Sequence, residues 1–212
     1  MLVALDFDGT LSPSEMTVLL GEQAGVAAEM ATITERAMND ELAYATSLRR
    51  RCDLLAGLDL DTARHGFEAV ALRPGAADLL DALRAAGVET AILTGGFQRG
   101  VETALAAADT GVDTVVANRL PVADGSLTGE VAGPLVEGTK DDALAVLRAA
   151  TGETETVAVG DGANDRPMLA AADLAVGFAP KPAVEPVCDV VVDSMAELRT
   201  VFETEGLLAG GS

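Results

Sequence analysis

Lysine is nearly missing from this chain: 34 acidic side chains stand against 14 basic ones, and all but Lys140 and Lys181 of the basic set are arginines. The net charge of −20 repels nucleic acids and anionic membrane surfaces, which excludes polyanionic partners. Acidic excess with arginine kept and lysine removed suits concentrated salt, where a Debye length of about 3 Å at 1 M screens self-repulsion. A halophilic setting is therefore expected. Cysteine occurs twice, and Cys52 and Cys188 are far apart with no CxxC pair, which excludes a disulfide framework and a zinc ribbon. The lone histidine, His65, has no metal-ligand or nucleophile spacing around it and reads as a surface or capping residue of a loop before Gly66. No apolar run approaches the ~18 residues of a membrane helix, and the first one, Leu2 to Leu5, stops at Asp6, too short for a secretory signal. A cytoplasmic location is expected.

What the chain does have is 49% apolar residues over 212 positions, enough for a sizeable core. Leu2-Val3-Ala4-Leu5 reads as a buried strand, and it runs into Asp6-Phe7-Asp8-Gly9-Thr10. Residues two apart on an extended chain project to one side, so Asp6 and Asp8 converge at the carboxyl end of a strand, where open α/β sheets bind ligands. A second acidic strand end lies far downstream, at Val157-Ala158-Val159-Gly160-Asp161-Gly162-Ala163-Asn164-Asp165.

Between these ends the rhythm changes twice. Residues 13–72 look all-helical, and from Arg73-Pro74-Gly75 helices and strands alternate, with strands expected at Thr90–Leu93, Thr114–Ala117, Val157–Val159, Leu174–Val176 and Val190–Val192. Asp124-Gly125 marks a hairpin within 120–131. Thr139 with Asp142 reads as a capping box opening a helix. The expected fold is α/β, a mainly parallel, Rossmann-like sheet flanked by helices. Its core is residues 1–12 and 73–212, and a small helical cap of residues 13–72 is inserted after the first strand. Leu207 to Ser212 reads as a frayed end.

Four stations gather at the strand ends: Asp6 with Asp8, Thr94-Gly95-Gly96, Lys140, and Asp161 with Asn164 and Asp165. Thr94-Gly95-Gly96 offers a hydroxyl and free N–H groups before a helix, a cradle for phosphate. Lys140 sits in a first helical turn, where a cation is disfavoured by ~0.3–1 kcal/mol, so its placement points to a bound anion. Lys181, between Pro180 and Pro182, reads as an exposed loop lysine. Carboxylates crowded at one crevice need a hard divalent cation, and Mg²⁺ suits carboxylate, carbonyl, water and phosphate ligands.

In order and spacing these segments, with Leu93-Thr-Gly-Gly-Phe97, Ala117-Asn-Arg-Leu120 and Gly160 to Met168, resemble the haloacid dehalogenase superfamily of phosphohydrolases, and within it the branch that cleaves phosphoserine. The resemblance spans essentially the whole chain. It implies Asp6 as nucleophile and Asp8 as general acid and base. Thr94, Gly95, Lys140 and Asn164 would then hold the phosphate, and Mg²⁺ would bind Asp6, the Asp8 carbonyl and Asp161, with Asp165 in the outer shell. It aligns Glu15 and Arg51 with the groups that take a substrate's ammonium and carboxylate, and Met38 and Tyr44 with apolar lid contacts. On the residues alone, Arg49 or Arg50 is an alternative to Arg51. The expected partner is a small phosphomonoester, O-phospho-L-serine first. A different small ester is the runner-up, followed by a phosphorylatable signalling module.

Overall fold

A computed structural model describes residues 1–38 and 41–210. In chain order the elements are β1 (Leu2–Leu5), α1 (Met16–Ala24), α2 (Ala27–Met38), α3 (Tyr44–Asp53), α4 (Leu60–Glu68), α5 (Ala76–Ala85), β2 (Glu89–Phe97), α6 (Gln98–Ala107), β3 (Thr114–Asn118), β4 (Val122–Ala123), β5 (Ser126–Leu127), α7 (Lys140–Thr151), β6 (Thr156–Gly160), α8 (Arg166–Ala171), β7 (Leu174–Phe178), β8 (Val190–Val192) and α9 (Met195–Thr204). Six strands form one parallel sheet in the order β3-β2-β1-β6-β7-β8, and β4 pairs antiparallel with β5. No helix among the described residues is long and apolar enough to cross a membrane.

Alternation along β1 explains the layers. Val3 and Leu5 enter one apolar cluster with Leu79, Leu80 and Leu83 of α5 and Leu198 and Phe202 of α9. Leu2 and Ala4 enter a second with Leu144 and Leu147 of α7 and Met168 and Leu169 of α8. A strand buried on both faces reads as a continuous apolar run, and all four β1 residues are fully buried. The helices α1 to α4 stand between β1 and α5, and Met16, Leu20, Leu48 and Phe67 join them to the first cluster. The β4–β5 hairpin ties this insert down, since Leu58 O accepts from Leu127 N at 2.9 Å and Leu127 O from Gly57 N at 2.8 Å. Its tip is Asp124-Gly125, both at positive φ (50° and 80°), the backbone that a two-residue turn of this type demands.

At the opposite end of the sheet two aspartates act as clasps. Thr90 N and Oγ1 donate to Asp113 Oδ2 (2.8 and 2.7 Å), and Thr156 N and Oγ1 donate to Asp173 Oδ2 (both 2.9 Å). The Thr90 bonds outweigh partial burial and hold the Asp113 carboxyl below its usual range; the Thr156 bonds do the same for Asp173. A depressed native pKa stabilises above the unfolded value near ~4 and is lost as pH falls through the native value. The double variant D113A/D173A should therefore melt about 4–8 °C lower at pH 7, with the gap to the native chain closing below about pH 4. A gap that persists unchanged at pH 3 would refute the clasp.

Several local expectations are corrected. Thr94-Gly95-Gly96, expected to follow a strand ending at Leu93, is the bulged end of β2 itself, whose pairing with β3 is irregular between Leu93 and Phe97. Thr139 does N-cap α7, yet its hydroxyl accepts no backbone N–H and donates instead to the Asp142 carboxylate (3.1 Å), so no capping box closes. His65 lies inside α4, since the apolar face with Ala63 and Phe67 continues the helix past it. Leu207 and Leu208 are not frayed but buried against the core beside α9, and Gly211 and Ser212 lie outside the described residues. Cys52 and Cys188 are free thiols, and burial pushes the Cys52 thiol up to about 12, which leaves it unreactive.

Candidate active site

β1 delivers Asp6 directly past its last paired residue, and the chain then turns back on itself, with Phe7 O accepting from Thr10 N and Ser12 N. Arg73 pins this turn, donating to Gly9 O (2.8 Å) and Thr10 O (2.9 Å) while its guanidinium lies 5.0 Å above the Phe178 ring. β6, the neighbour of β1, delivers Asp161 beside it. Gly9 is required here, because a Cβ built on it would lie 2.6 Å from the Asp161 carboxylate. Asp165 folds back on the same turn, accepting from Asp161 N (3.0 Å) and Gly162 N (2.8 Å) through Oδ2.

Lys140, at the first position of α7, reaches between Asp6 and Asp165 and contacts one oxygen of each. All three side chains are buried. Burial lowers the lysine's pKa, but the two carboxylates outweigh it and hold Lys140 firmly protonated. Asp6 nonetheless has its pKa pushed well up, first by burial and then by Asp165. The two directions agree once charges are counted: one buried cation faces the carboxylates of Asp6, Asp161 and Asp165, so negative charge remains in surplus. Oxygens of those three residues lie within 4.8 Å of one another. A divalent cation would fit that donor set.

Asp8 is pushed up too, by burial first and then by Glu15 and Asp6. Its Oδ1 is buried with no partner among the described residues. Gly96 packs against its other oxygen, 2.6 Å from where a Cβ would stand. Thr94 accepts from Gly96 N (2.9 Å), and Asn118 at the end of β3 donates to Gly95 O (3.0 Å) while accepting from Leu135 N (3.0 Å). Asn118 and Arg73 thus shape the cradle from outside it. Neither carries a signal of its own in the sequence beyond the Ala117-Asn-Arg-Leu120 segment.

A cavity of about 350 Å³ opens over these strand ends, lined from below by Asp6, Asp8, Thr94, Gly95, Asp161 and Asn164. The helical insert supplies its roof. Glu15 N-caps α1 without using its side chain in a cap, and that side chain lines the cavity. Of the three consecutive arginines, Arg51 is buried and lines the cavity, while Arg49 is exposed and pairs with Glu137, and Arg50 is exposed. Tyr44 closes on the core, its hydroxyl lying so near Gly95 that a Cβ there would sit 1.7 Å away. Burial pushes this phenol up to about 12. Met38 ends α2, and its side chain lies outside what is described.

Lys181 is an exposed loop lysine, as expected, but its loop docks on the site. It lines the cavity and donates to Asp161 Oδ2 at 3.0 Å, while its backbone N–H bonds Asp161 O at 2.9 Å. The flanking prolines hid this, because they predict an extended loop but not where it docks. Both lysines that this acidic chain retains are therefore at one site.

Residues 3–170 match the family model of haloacid dehalogenase-like hydrolases. The chain is 54% identical to the phosphoserine phosphatase of Halobacterium salinarum over 208 residues, which is 97% of this chain and 99% of that one. Two solved structures superpose with a TM-score of 0.87. One is a phospho-aspartyl intermediate analogue of phosphoserine phosphatase, 33% identical, covering 94% of this chain and 97% of its own. The other is a substrate-bound phosphoserine phosphatase complex, 32% identical, covering 96% and 97%. With its acidic strand ends, buried lysine and matching family model, this chain belongs to the haloacid dehalogenase-like hydrolases.

Proposed function

We propose that this chain is a Mg²⁺-dependent phosphoserine phosphatase, hydrolysing O-phospho-L-serine to L-serine and phosphate in the final step of serine synthesis. The observation that carries the reading is the cavity's polarity: Asp6, which the buried Lys140 contacts, and Asp8, with one oxygen unpartnered among the described residues, at its floor, and one acid and one arginine in its roof. Relatives named for that activity support it.

In this reading an Asp6 oxygen bonds to phosphorus as the serine oxygen leaves, and Asp8 gives that oxygen its proton. Asp8 can hold the proton because burial and Glu15 raise its pKa. Asp8 then takes a proton from the water that attacks phosphorus, which releases phosphate and restores Asp6. The Thr94 hydroxyl, the Gly95 N–H, Asn164 and Lys140 hold the phosphoryl oxygens. Asp6, the Asp8 carbonyl and Asp161 would hold Mg²⁺, steadied by Asp165, and the ion would offset charge on the phosphoryl group. Glu15 pairs with the substrate ammonium and Arg51 with its carboxylate, while Tyr44 covers its methylene. Residues 13–72 act as a cap that shuts out water, and residues 1–12 and 73–212 form the core.

Phosphate release from a panel of phosphomonoesters, in molar KCl with Mg²⁺ and then with chelator, tests the whole reading. Turnover should prefer O-phospho-L-serine over small aryl phosphates by at least about 100-fold in kcat/KM, vanish with chelator, and decline as KCl is withdrawn. Equal use of all esters would remove the roof assignments, and full activity in chelator would remove the metal.

A further inference from the structure

Two polar atoms in the roof of the cavity are buried without a hydrogen-bond partner among the described residues: the Ser47 hydroxyl oxygen and Arg51 Nε. Ser47 is 1% exposed and Arg51 8%. They lie four residues apart on α3, hence one turn apart on a single face, and both line the cavity. A serine inside a helix commonly returns its proton to the carbonyl four residues back. Here the Ala43 carbonyl takes the Ser47 backbone N–H at 2.9 Å, and the hydroxyl stays unspent. The guanidinium is held from a second helix: Arg51 Nη1 donates to Thr17 Oγ1 of α1 at 3.0 Å. Thr17 is itself buried and lines the same cavity. With Nη1 committed to Thr17, the edge that carries Nε is the one left for a planar, two-oxygen acceptor.

We propose that Ser47 is a specificity-determining residue that donates its hydroxyl proton to the substrate carboxylate beside Arg51 Nε, and that Thr17 is the positioning residue that turns the guanidinium toward it. The inference rests on the phosphoamino-acid reading above and adds to it a third and fourth group. Two donors that are unsatisfied without ligand become satisfied together by one carboxylate, whereas an ester without a carboxylate leaves both unpaired. Buried polar groups left unpaired by the wrong ligand are a strong source of discrimination.

The test compares O-phospho-L-serine with phosphoethanolamine, which keeps the ammonium and the phosphate but has no carboxylate, on the native chain and on S47A, T17V and T17S. S47A and T17V should each raise KM for phosphoserine about ten-fold with kcat changed less than about two-fold, and KM for phosphoethanolamine should move less than about two-fold. T17S, which keeps the hydroxyl, should restore the native KM. Equal KM changes for both esters, or none for either, would overturn the proposal. If the native chain itself uses the two esters alike, the phosphoamino-acid reading falls and Ser47 falls with it. If the native chain prefers phosphoserine and S47A keeps that preference in full, the Ser47 assignment alone is wrong.

Discussion

Asp6→Asn should abolish phosphate release, by at least about ten thousand-fold, while leaving the fold as stable as before or more so. The amide keeps the shape of the carboxylate but cannot form the bond to phosphorus. The stability half of the result follows from the charge surplus. Asp6 is buried beside Asp165 and Asp161, and these raise its pKa against the single cation of Lys140. Removing one of the carboxylates relieves repulsion that the native chain bears for function. Lys140 keeps Asp165. A melting curve in chelator checks this, and a fall of more than a few degrees, about 1 kcal/mol or more, would mean that the Asp6–Lys140 pair outweighs the repulsion.

Lys140→Met is expected to lose comparable activity but to move stability the other way. Methionine fills similar volume, yet the change leaves the buried carboxylates of Asp6 and Asp165 without their only cation among the described residues in direct contact with both. Breaking a buried pair by removing one partner costs about 3–5 kcal/mol, or roughly 6–20 °C for a chain of this size. Two further readouts separate this from ordinary loss of packing. Millimolar Mg²⁺ should raise the melting temperature of K140M more than that of the native chain, because a cation then replaces a cation. D6N/K140M should also be more stable than the two single effects added, since the lost attraction and the lost repulsion share one site. Strict additivity would show that Lys140 acts independently of Asp6.

How legible the molecule was depends on range. β1 and its two aspartates stood out because four apolar residues buried on both faces cannot alternate in polarity, and because charge begins where the apolar run ends. Asp124-Gly125 was legible because its backbone needs positive φ. The register of six parallel strands, by contrast, is written in contacts between distant segments, which periodicity does not encode. Asn118, Arg73 and Thr17 act on groups far away in sequence: Arg73 on Gly9, Asn118 on Gly95 and Leu135, Thr17 on Arg51. Their chemistry is ordinary until the fold places them. The pairing of Lys181 with Asp161 was hidden for the same reason, since nothing local tells that its loop docks on a carboxylate. Arg51 was separable from Arg49 and Arg50 only by the rotation of α3, which turns one of three consecutive side chains inward.

The position of β1 in the middle of the sheet also bears on biosynthesis. Its first partner, β2, is complete at Phe97, but the strand on its other side begins at Thr156. A ribosome adding about 5–20 residues per second leaves one flank of β1 bare for roughly 3–12 seconds. During that interval the emerging polypeptide presents an open, apolar strand edge, the kind of surface on which nascent chains aggregate or recruit chaperones. Asp6 waits through most of the same interval without Lys140, so this acidic site is assembled last, when the C-terminal quarter of the chain adds three of the six strands.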